Sequence, residues 1–159
     1  FPTQFTLKTT REGILLFSEP ISEIYLLHKN GYKWSNLSLE EANEMMKSVK
    51  GDLFHIKMEI NLGFVTGLKL DGNSIVDYTL QNKLNGVFYG GTNIENLRMT
   101  LEILIDKTSI EIFADGGRFS IITTRKEAVN DNGFEFFSRE GNQKLINSLE
   151  IYELNSTWK

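Results

Sequence analysis

The stretch LRMTLEILIDKTSIEIFADGGRFSIITTR, which runs from Leu97 to Arg125, decides the fold. From Leu97 to Ile105, apolar residues at odd positions alternate with mostly polar or smaller ones, the period of a half-buried strand. Turn-forming residues from Asp106 to Ser109 interrupt this pattern, which then resumes. Asp115-Gly116 is a strong hairpin signal, because both residues tolerate the left-handed backbone of a type I′ turn. The stretch therefore predicts three antiparallel strands joined by two tight turns.

Short runs of strand-like sequence recur on both sides of this block. They are separated by Gly, Asn and Asp residues at intervals of roughly 8–12 residues, which is typical of an all-β sandwich. The runs predicted as strands are 5–8, 14–17, 21–27, 54–62, 64–70, 75–80, 84–89, 134–138 and 148–154. We therefore expect an all-β fold in which two antiparallel sheets form a concanavalin A-like jelly roll, as a single domain over residues 1–159.

One short helix is predicted within this strand-rich sequence. Ser38 and Glu41 have the spacing of a capping box, in which side chains and backbone N–H groups satisfy each other. Apolar residues follow at helical spacing up to Val49, and Gly51 lies where a helix would end. This pattern predicts a helix inserted between strands.

Composition narrows the possible partners. The net charge of −4 disfavours nucleic acid, which a basic patch would bind, and no apolar run is long enough to span a bilayer. The chain has no cysteine, so disulfides and thiolate chemistry are excluded. It begins with Phe1-Pro2 rather than Met, which suggests a processed product or a piece of a longer protein.

Acidic residues are frequent in the stretch from Leu97 to Arg125, which we call the organising block. Their positions favour structural roles. Asp106 and Asp115 occupy turns, where Asp side chains commonly accept from nearby backbone N–H groups. Glu102 and Glu111 lie in mid-strand, where a cross-strand ion pair with a basic partner such as Arg98, Arg118 or Arg125 is far commoner than a catalytic pair of acids. No catalytic residue is predicted.

No cofactor or metal is predicted either. His28 and His55 are the only histidines and lie far apart in the sequence, whereas a zinc site needs three or four converging ligands. No G-x-S-x-G elbow and no phosphate-binding glycine loop is present.

Two aromatic residues are the candidate carbohydrate-binding residues. Tyr32 and Trp34 lie in a stretch predicted as a loop before the helix, and they share one side if that stretch is extended. Exposed rings stack against the apolar faces of sugars. The competing interpretations are that both rings cover the core or that they dock against another surface.

The sequence LEILIDKTSIEIFADGG, Leu101 to Gly117, resembles a signature of the C-terminal β-sandwich of family 32 glycoside hydrolases. The similarity extends to the opening residues 5–24 and to the closing residues 149–158. The chain departs from the usual pattern at Lys107, Thr108 and the Gly116-Gly117 pair. The positions that match the signature are Asp106, Ser109, Glu111, Phe113, Asp115 and Gly116.

This resemblance implies a two-domain enzyme, a retaining glycoside hydrolase of the β-fructosidase class that acts on levan, inulin or sucrose. An N-terminal five-bladed β-propeller would carry the three catalytic acids in W-x-N-D-P-N-G, R-D-P and E-C motifs, none of which occurs here. The closest sequence, Asn130 to Gly133, lacks the proline. Family resemblance alone also favours an extracellular or periplasmic location.

The sequence leaves two main functional hypotheses. The leading one is a non-catalytic accessory domain whose partner is the propeller of the same protein. The alternative is a free-standing carbohydrate-binding module that takes fructan or another carbohydrate. A folded remnant that docks only onto another protein chain is a third possibility.

Overall fold

The computed structural model describes residues 1–61, 66–79, 81–88, 98–139 and 144–156. Predictions that concern Leu62, Phe64, Leu80, residues 89–97 and Trp158 lie outside this part of the chain. Within it, no helix is long and apolar enough to span a bilayer.

The described chain forms thirteen strands, one α-helix and one 3₁₀ helix (Ser22–Leu27). The α-helix, α1, spans Leu39–Met46. The strands are β1 (Thr3–Thr10), β2 (Gly13–Pro20), β3 (His28–Ser38), β4 (Phe54–Asn61), β5 (Thr66–Leu70), β6 (Asn73–Thr79), β7 (Lys83–Leu84), β8 (Val87–Phe88), β9 (Arg98–Ile105), β10 (Ser109–Ala114), β11 (Phe119–Thr124), β12 (Phe134–Ser138) and β13 (Lys144–Leu154).

Two antiparallel sheets form the sandwich predicted from the sequence. One has six strands in the order β11-β10-β9-β4-β13-β3, and the other has five in the order β12-β5-β6-β7-β8. Their facing sides supply one continuous apolar core, which includes Ile56, Ile103 and Ile112 from the larger sheet and Leu68 and Val76 from the smaller. The fold class is confirmed.

The predicted helix and most predicted strands are confirmed. Ser38 caps α1 in a capping box with Glu41, and Ala42 and Met46 are buried in the core. The organising block forms β9, β10 and β11 as consecutive antiparallel partners.

Three local predictions are wrong. Residues 21–27 form the 3₁₀ helix instead of a strand, because only Ile24 of this apolar run is buried. Residues 84–88 are not one strand, because Asn85-Gly86 adopts left-handed angles and turns the chain between β7 and β8. The stretch that contains Tyr32 and Trp34 is not a loop, since it belongs to β3 at the edge of the six-stranded sheet.

A separate hairpin, β1–β2, and the 3₁₀ helix adjoin the outer face of the six-stranded sheet. Ile24 packs there with Leu104, Phe113 and Leu154 in a second, smaller core. The outer face of this sheet is therefore apolar where the 3₁₀ helix covers it.

Gly117 allows the hairpin to approach the sheet closely. Its carbonyl oxygen accepts a hydrogen bond of 2.8 Å from the N–H of Ser18 in β2. A Cβ atom at this position would lie 2.0 Å from the Ser18 carbonyl oxygen, and the backbone is left-handed (φ +80°). The position therefore needs glycine for two independent reasons.

We expect Gly117→Ala to lower the free energy of unfolding by roughly 3 kcal/mol, because it adds backbone strain and separates β2 from the β10–β11 turn. Gly116→Ala is the matched control. Gly116 is also left-handed (φ +63°), but its Cβ would meet nothing closer than 3.7 Å, so only the strain of about 1 kcal/mol applies. Urea unfolding followed by tryptophan fluorescence measures both; equal losses would contradict the close-approach argument.

Candidate functional site

The uncovered part of the outer sheet face carries a row of alternating charges. Strand register places Lys33 opposite Glu150, Glu150 opposite Lys57, and Lys57 opposite Glu102, across β3, β13, β4 and β9. The row is therefore nearly neutral, because each charge has neighbours of the opposite sign.

A hydrogen-bonded chain of three side chains lies beside this row. His28 Nε2 is 2.9 Å from His55 Nδ1, and His55 Nε2 is 2.7 Å from Glu102 Oε1. His55 is fully buried, while the Glu102 side chain is about one quarter exposed (24%). The two histidines lie far apart in the sequence but are direct hydrogen-bond partners. We call His28, His55 and Glu102 the His–His–Glu relay.

Two tyrosines enclose the outer histidine of the relay. The ring of His28 stacks on Tyr152 with centroids 3.9 Å apart, and Tyr25 of the 3₁₀ helix meets it edge-on at 5.2 Å. Burial, followed by the charges of His55 and Lys57, lowers the pKa of His28 from its ordinary value. His28 is therefore held in its neutral form to a lower pH than a free histidine.

Glu150 is held in its charged form. Its carboxylate accepts 2.7 Å from the Tyr152 hydroxyl and lies 3.2 Å from Lys33 Nζ. The Tyr152 hydrogen bond, followed by that of Lys33, lowers the pKa of Glu150. A glycosidase acid needs the opposite shift, since it must carry a proton at working pH.

The charged row lines a groove of 370 Å³ on the sheet surface. Its carboxylates already have partners: Glu59 pairs with Arg98 at 3.0 Å, and Glu102 and Glu150 are bonded as described. Among the residues that the structure describes, no group of three or more His, Cys, Asp or Glu side chains converges in a way that would hold a metal ion.

The six signature residues lie along β10 and its two turns. Asp106 Oδ1 accepts from the Lys107 N–H at 2.7 Å, and Asp115 Oδ1 accepts from the Thr100 N–H at 3.3 Å. Ser109 begins β10, Phe113 joins the second core, and Gly116 follows Asp115 in a left-handed turn.

Glu102 and Glu111 do not pair with the three arginines named as possible partners. Glu102 bonds to His55, and the buried Glu111 contacts the terminal amine of Phe1. Arg98 and Arg118 instead pair with Glu59 and Glu12, and Arg125 binds Asp52. Local strand alternation did not reveal these partners, because they depend on the register between β4 and β9 and on the N-terminal segment.

Tyr32 and Trp34 stack in parallel, with centroids 5.5 Å apart and planes 14° apart. They lie opposite Ile151 and Leu149 of β13, so both rings belong to the inner side of the sheet and pack on the core. Both remain half-buried rather than fully covered. Their role in carbohydrate binding stays a prediction.

The hairpin carries an exposed apolar surface, which the sequence analysis did not anticipate. Phe5, Leu7, Ile14 and Leu16 share one side of β1–β2 and are 57–70% exposed. The opposite side holds the buried Phe17. We call these four residues the hairpin face; an adjoining apolar concavity of 580 Å³ is lined by residues that include Pro2, Pro20, Ile24 and Leu26.

The two packed sheets and the signature block along β10 define a β-sandwich domain. A family profile described as "Glycosyl hydrolases family 32 C terminal" matches residues 69–153, more than half of the chain. The chain therefore belongs to the family of C-terminal domains of glycosyl hydrolases family 32.

Two curated relatives are levanases. The chain is 23% identical over 184 residues to a levanase of Bacillus subtilis (strain 168) and 24% identical over 191 residues to one of Bacillus sp. (strain L7). The alignments cover 99% of this chain but only 27% and 20% of the levanases. The chain thus spans about a quarter or less of the length of these relatives.

Solved structures with the same fold include two enzymes. An exo-inulinase from Aspergillus awamori superposes with a TM-score of 0.69 at 16% identity, over 99% of this chain and 36% of that chain. A sucrose-6-phosphate hydrolase from Lactobacillus gasseri gives 0.64 at 18% identity, over 96% of this chain and 33% of that chain. These likenesses establish the fold.

We predict that Tyr152→Phe raises the pKa of Glu150 toward the ordinary glutamate value, because it removes the largest contribution to the lowered pKa. A carboxyl titration by NMR measures this change. The variant should also be less stable at neutral pH and lose less stability on acidification, because a lowered folded-state pKa stabilises the fold above the ordinary glutamate value and this contribution disappears as the pH falls. Tyr32→Phe is the control, since Tyr32 lies on the other side of the sheet and should leave Glu150 unchanged.

Proposed function

We propose that this chain is the non-catalytic C-terminal accessory domain of a fructan- or sucrose-cleaving hydrolase, and that it stabilises an N-terminal catalytic propeller by docking against it. The observation that carries the proposal is the hairpin face, an apolar surface on a small element that projects from the sandwich. Family membership and the levanase relatives supply the class of parent enzyme.

The hairpin has two unlike sides. Phe17 is buried on one side and the Ser18 N–H donates to the Gly117 carbonyl, whereas Leu7 and Leu16 lie directly opposite each other on the exposed side. Fully burying one Leu or Phe side chain contributes about 1.5–3 kcal/mol. Contiguous apolar patches of this kind on soluble domains mark interaction surfaces.

The acidic residues of the chain support an accessory role. Glu102 and Glu150 each have a partner within the domain, and the pKa of Glu150 is lowered. The propeller motifs that carry the catalytic acids in the resembling family are absent from the 159 residues.

We expect the 159-residue chain to unfold cooperatively and to release no fructose from sucrose, inulin or levan. Reducing-sugar release by the purified chain measures this directly. Turnover that disappears in Glu111→Gln would overturn the proposal, because it would place chemistry within the sandwich.

The docking surface is tested in the longer polypeptide that contains this chain. Leu7→Ser combined with Leu16→Ser should leave the unfolding of the isolated chain nearly unchanged, since both side chains are largely exposed. In the longer protein, the same pair should lower the thermal midpoint of the catalytic part by several degrees. Val87→Ser with Val129→Ser is the control, because both side chains are largely exposed and lie in β8 and in the loop between β11 and β12, outside the hairpin.

A second candidate, a carbohydrate-binding module, is favoured by the parallel Tyr32–Trp34 pair. Titration of levan or inulin oligosaccharides into the isolated chain by calorimetry distinguishes it. Binding in the low-millimolar range or tighter, weakened by Trp34→Ala in a chain that still folds, would favour the module over the docking domain.

A further inference from the structure

We propose that the apolar concavity beside the hairpin is a socket for the N-terminal part of the longer polypeptide, and that it takes a large apolar side chain with a lysine or arginine next to it. We call this concavity, which is lined by Pro2, Pro20, Ile24, Leu26 and their neighbours, the socket. The inference rests on the proposed function, because it names the chemistry of the partner that the docking surface fits.

The socket has a buried floor and an exposed rim. Ile24 and Leu104 line it and are buried members of the second core, so they form its floor. Leu26 also lines it but is 82% exposed, which places this side chain at the rim. The volume of 580 Å³ lies within the range of about 300–1,000 Å³ that is usual for ligand sites. An apolar group that enters the socket therefore removes water from both the floor and the rim.

The socket continues the hairpin face. Side chains along β2 alternate between the two sides of the hairpin, so Pro20 lies on the same side as Leu16 and Ser18. Pro20 also lines the socket. The hairpin face and the socket thus form one apolar strip along β2, interrupted by Ser18. A partner surface that covers Leu16 and extends along this strand reaches the socket.

The charged side chains around the socket are both acidic. They are Glu23, which accepts from the Ser22 hydroxyl at 3.3 Å, and Asp106, which accepts from the Lys107 N–H at 2.7 Å. Neither carboxylate forms an ion pair with a residue that the structure describes. The terminal amine of Phe1, which also belongs to the lining, contacts Glu111 instead. The rim therefore favours a basic group over an acidic one.

The position of Phe1 favours an occupant from the same polypeptide. Phe1 lines the socket, so any residues that precede it in a longer polypeptide leave from the wall of the socket. A short tether of this kind gives an effective concentration in the millimolar range, so that even a weak contact is occupied. A second copy of the domain would have to bind without this advantage.

The chemistry of the socket is tested on the isolated chain with probes that share one apolar body and differ in charge: phenylbutylammonium, phenylbutanol and phenylbutyrate. Changes in the amide NMR signals of Ile24, Leu26 and Asp106 locate each probe. We expect the cation to bind about fivefold more tightly than the anion, with the alcohol between them, because exposed ion pairs contribute little. In Glu23→Lys, the order of cation and anion should reverse. Unchanged signals at these amides, or an anion that binds as tightly as the cation, would overturn the assignment.

The occupant is tested in the longer polypeptide. Leu26→Ser should lower the thermal midpoint of the catalytic part by several degrees and leave the isolated chain nearly unchanged, because the side chain is largely exposed. Val129→Ser is the matched control, since Val129 is 73% exposed and lies in the loop between β11 and β12. A dimer of the isolated chain that is lost in Leu26→Ser, measured by sedimentation, would instead identify a second copy as the occupant.

The basic group of the occupant is tested by reversing one charge at the rim. Glu23→Lys should also lower the thermal midpoint in the longer polypeptide, and less so in high salt, because salt screens the repulsion from a basic partner. Asp131→Lys is the control, because it makes the same change of charge at an exposed acid in the loop between β11 and β12. A response to Glu23→Lys that is absent, or that does not depend on salt, would contradict a basic partner.

The substitutions also separate this inference from the proposed function. A lower midpoint in the Leu7→Ser/Leu16→Ser pair, with none in Leu26→Ser, would keep docking through the hairpin face and remove the socket. An unchanged midpoint in all of these variants, although the probes bind, would remove the docking function and with it the assigned occupant.

Discussion

The position of β13 between β3 and β4 is the constraint on which the rest of the structure depends. This eleven-residue strand pairs on one side with the strand that follows the 3₁₀ helix and on the other with the central strand β4. It is the last described strand of the chain, and it pairs with two strands from the first half. A slip by one residue would turn Glu150 and Tyr152 toward the core and Leu149 and Ile151 toward water. Burial of those two apolar residues therefore fixes the alignment of the charged row and of the ring that covers His28.

The same sheet serves two purposes because its two faces differ. The inner face supplies the apolar side chains that hold the sandwich together, while the outer face carries Lys33, Lys57 and the acids between them. Where the 3₁₀ helix covers the outer face, Leu104 and Phe113 replace charges and form the second core. The boundary between the two regions lies at the relay, where His28, His55 and Glu102 are joined by hydrogen bonds.

Local sequence patterns predicted the strands, turns and helix that depend on interactions between residues close together in the chain. The block from β9 to β11 followed from strand alternation and from left-handed turn residues such as Asp115, and α1 followed from the Ser38 capping box. The strand β3 was missed because its edge position leaves a mixed polar and aromatic sequence without clear alternation. The relay could not be predicted from the sequence. His28 in β3 and His55 in β4 come into contact because both strands pair with β13. The hairpin face was equally hidden: the periodicity of β1 and β2 shows which residues share a side, but not which side the sandwich covers.

The attachment of the hairpin at Gly117 has a consequence for how the domain tolerates mutation. The bond to β2 joins one backbone to another, so no change of the side chain at position 18 removes either the donor or the acceptor, apart from proline. The only requirement on side chains at this contact is that residue 117 has none, because a Cβ atom there would clash with the Ser18 carbonyl oxygen. The hairpin can thus change its exposed residues, and with them its choice of partner, without altering this backbone attachment at Gly117.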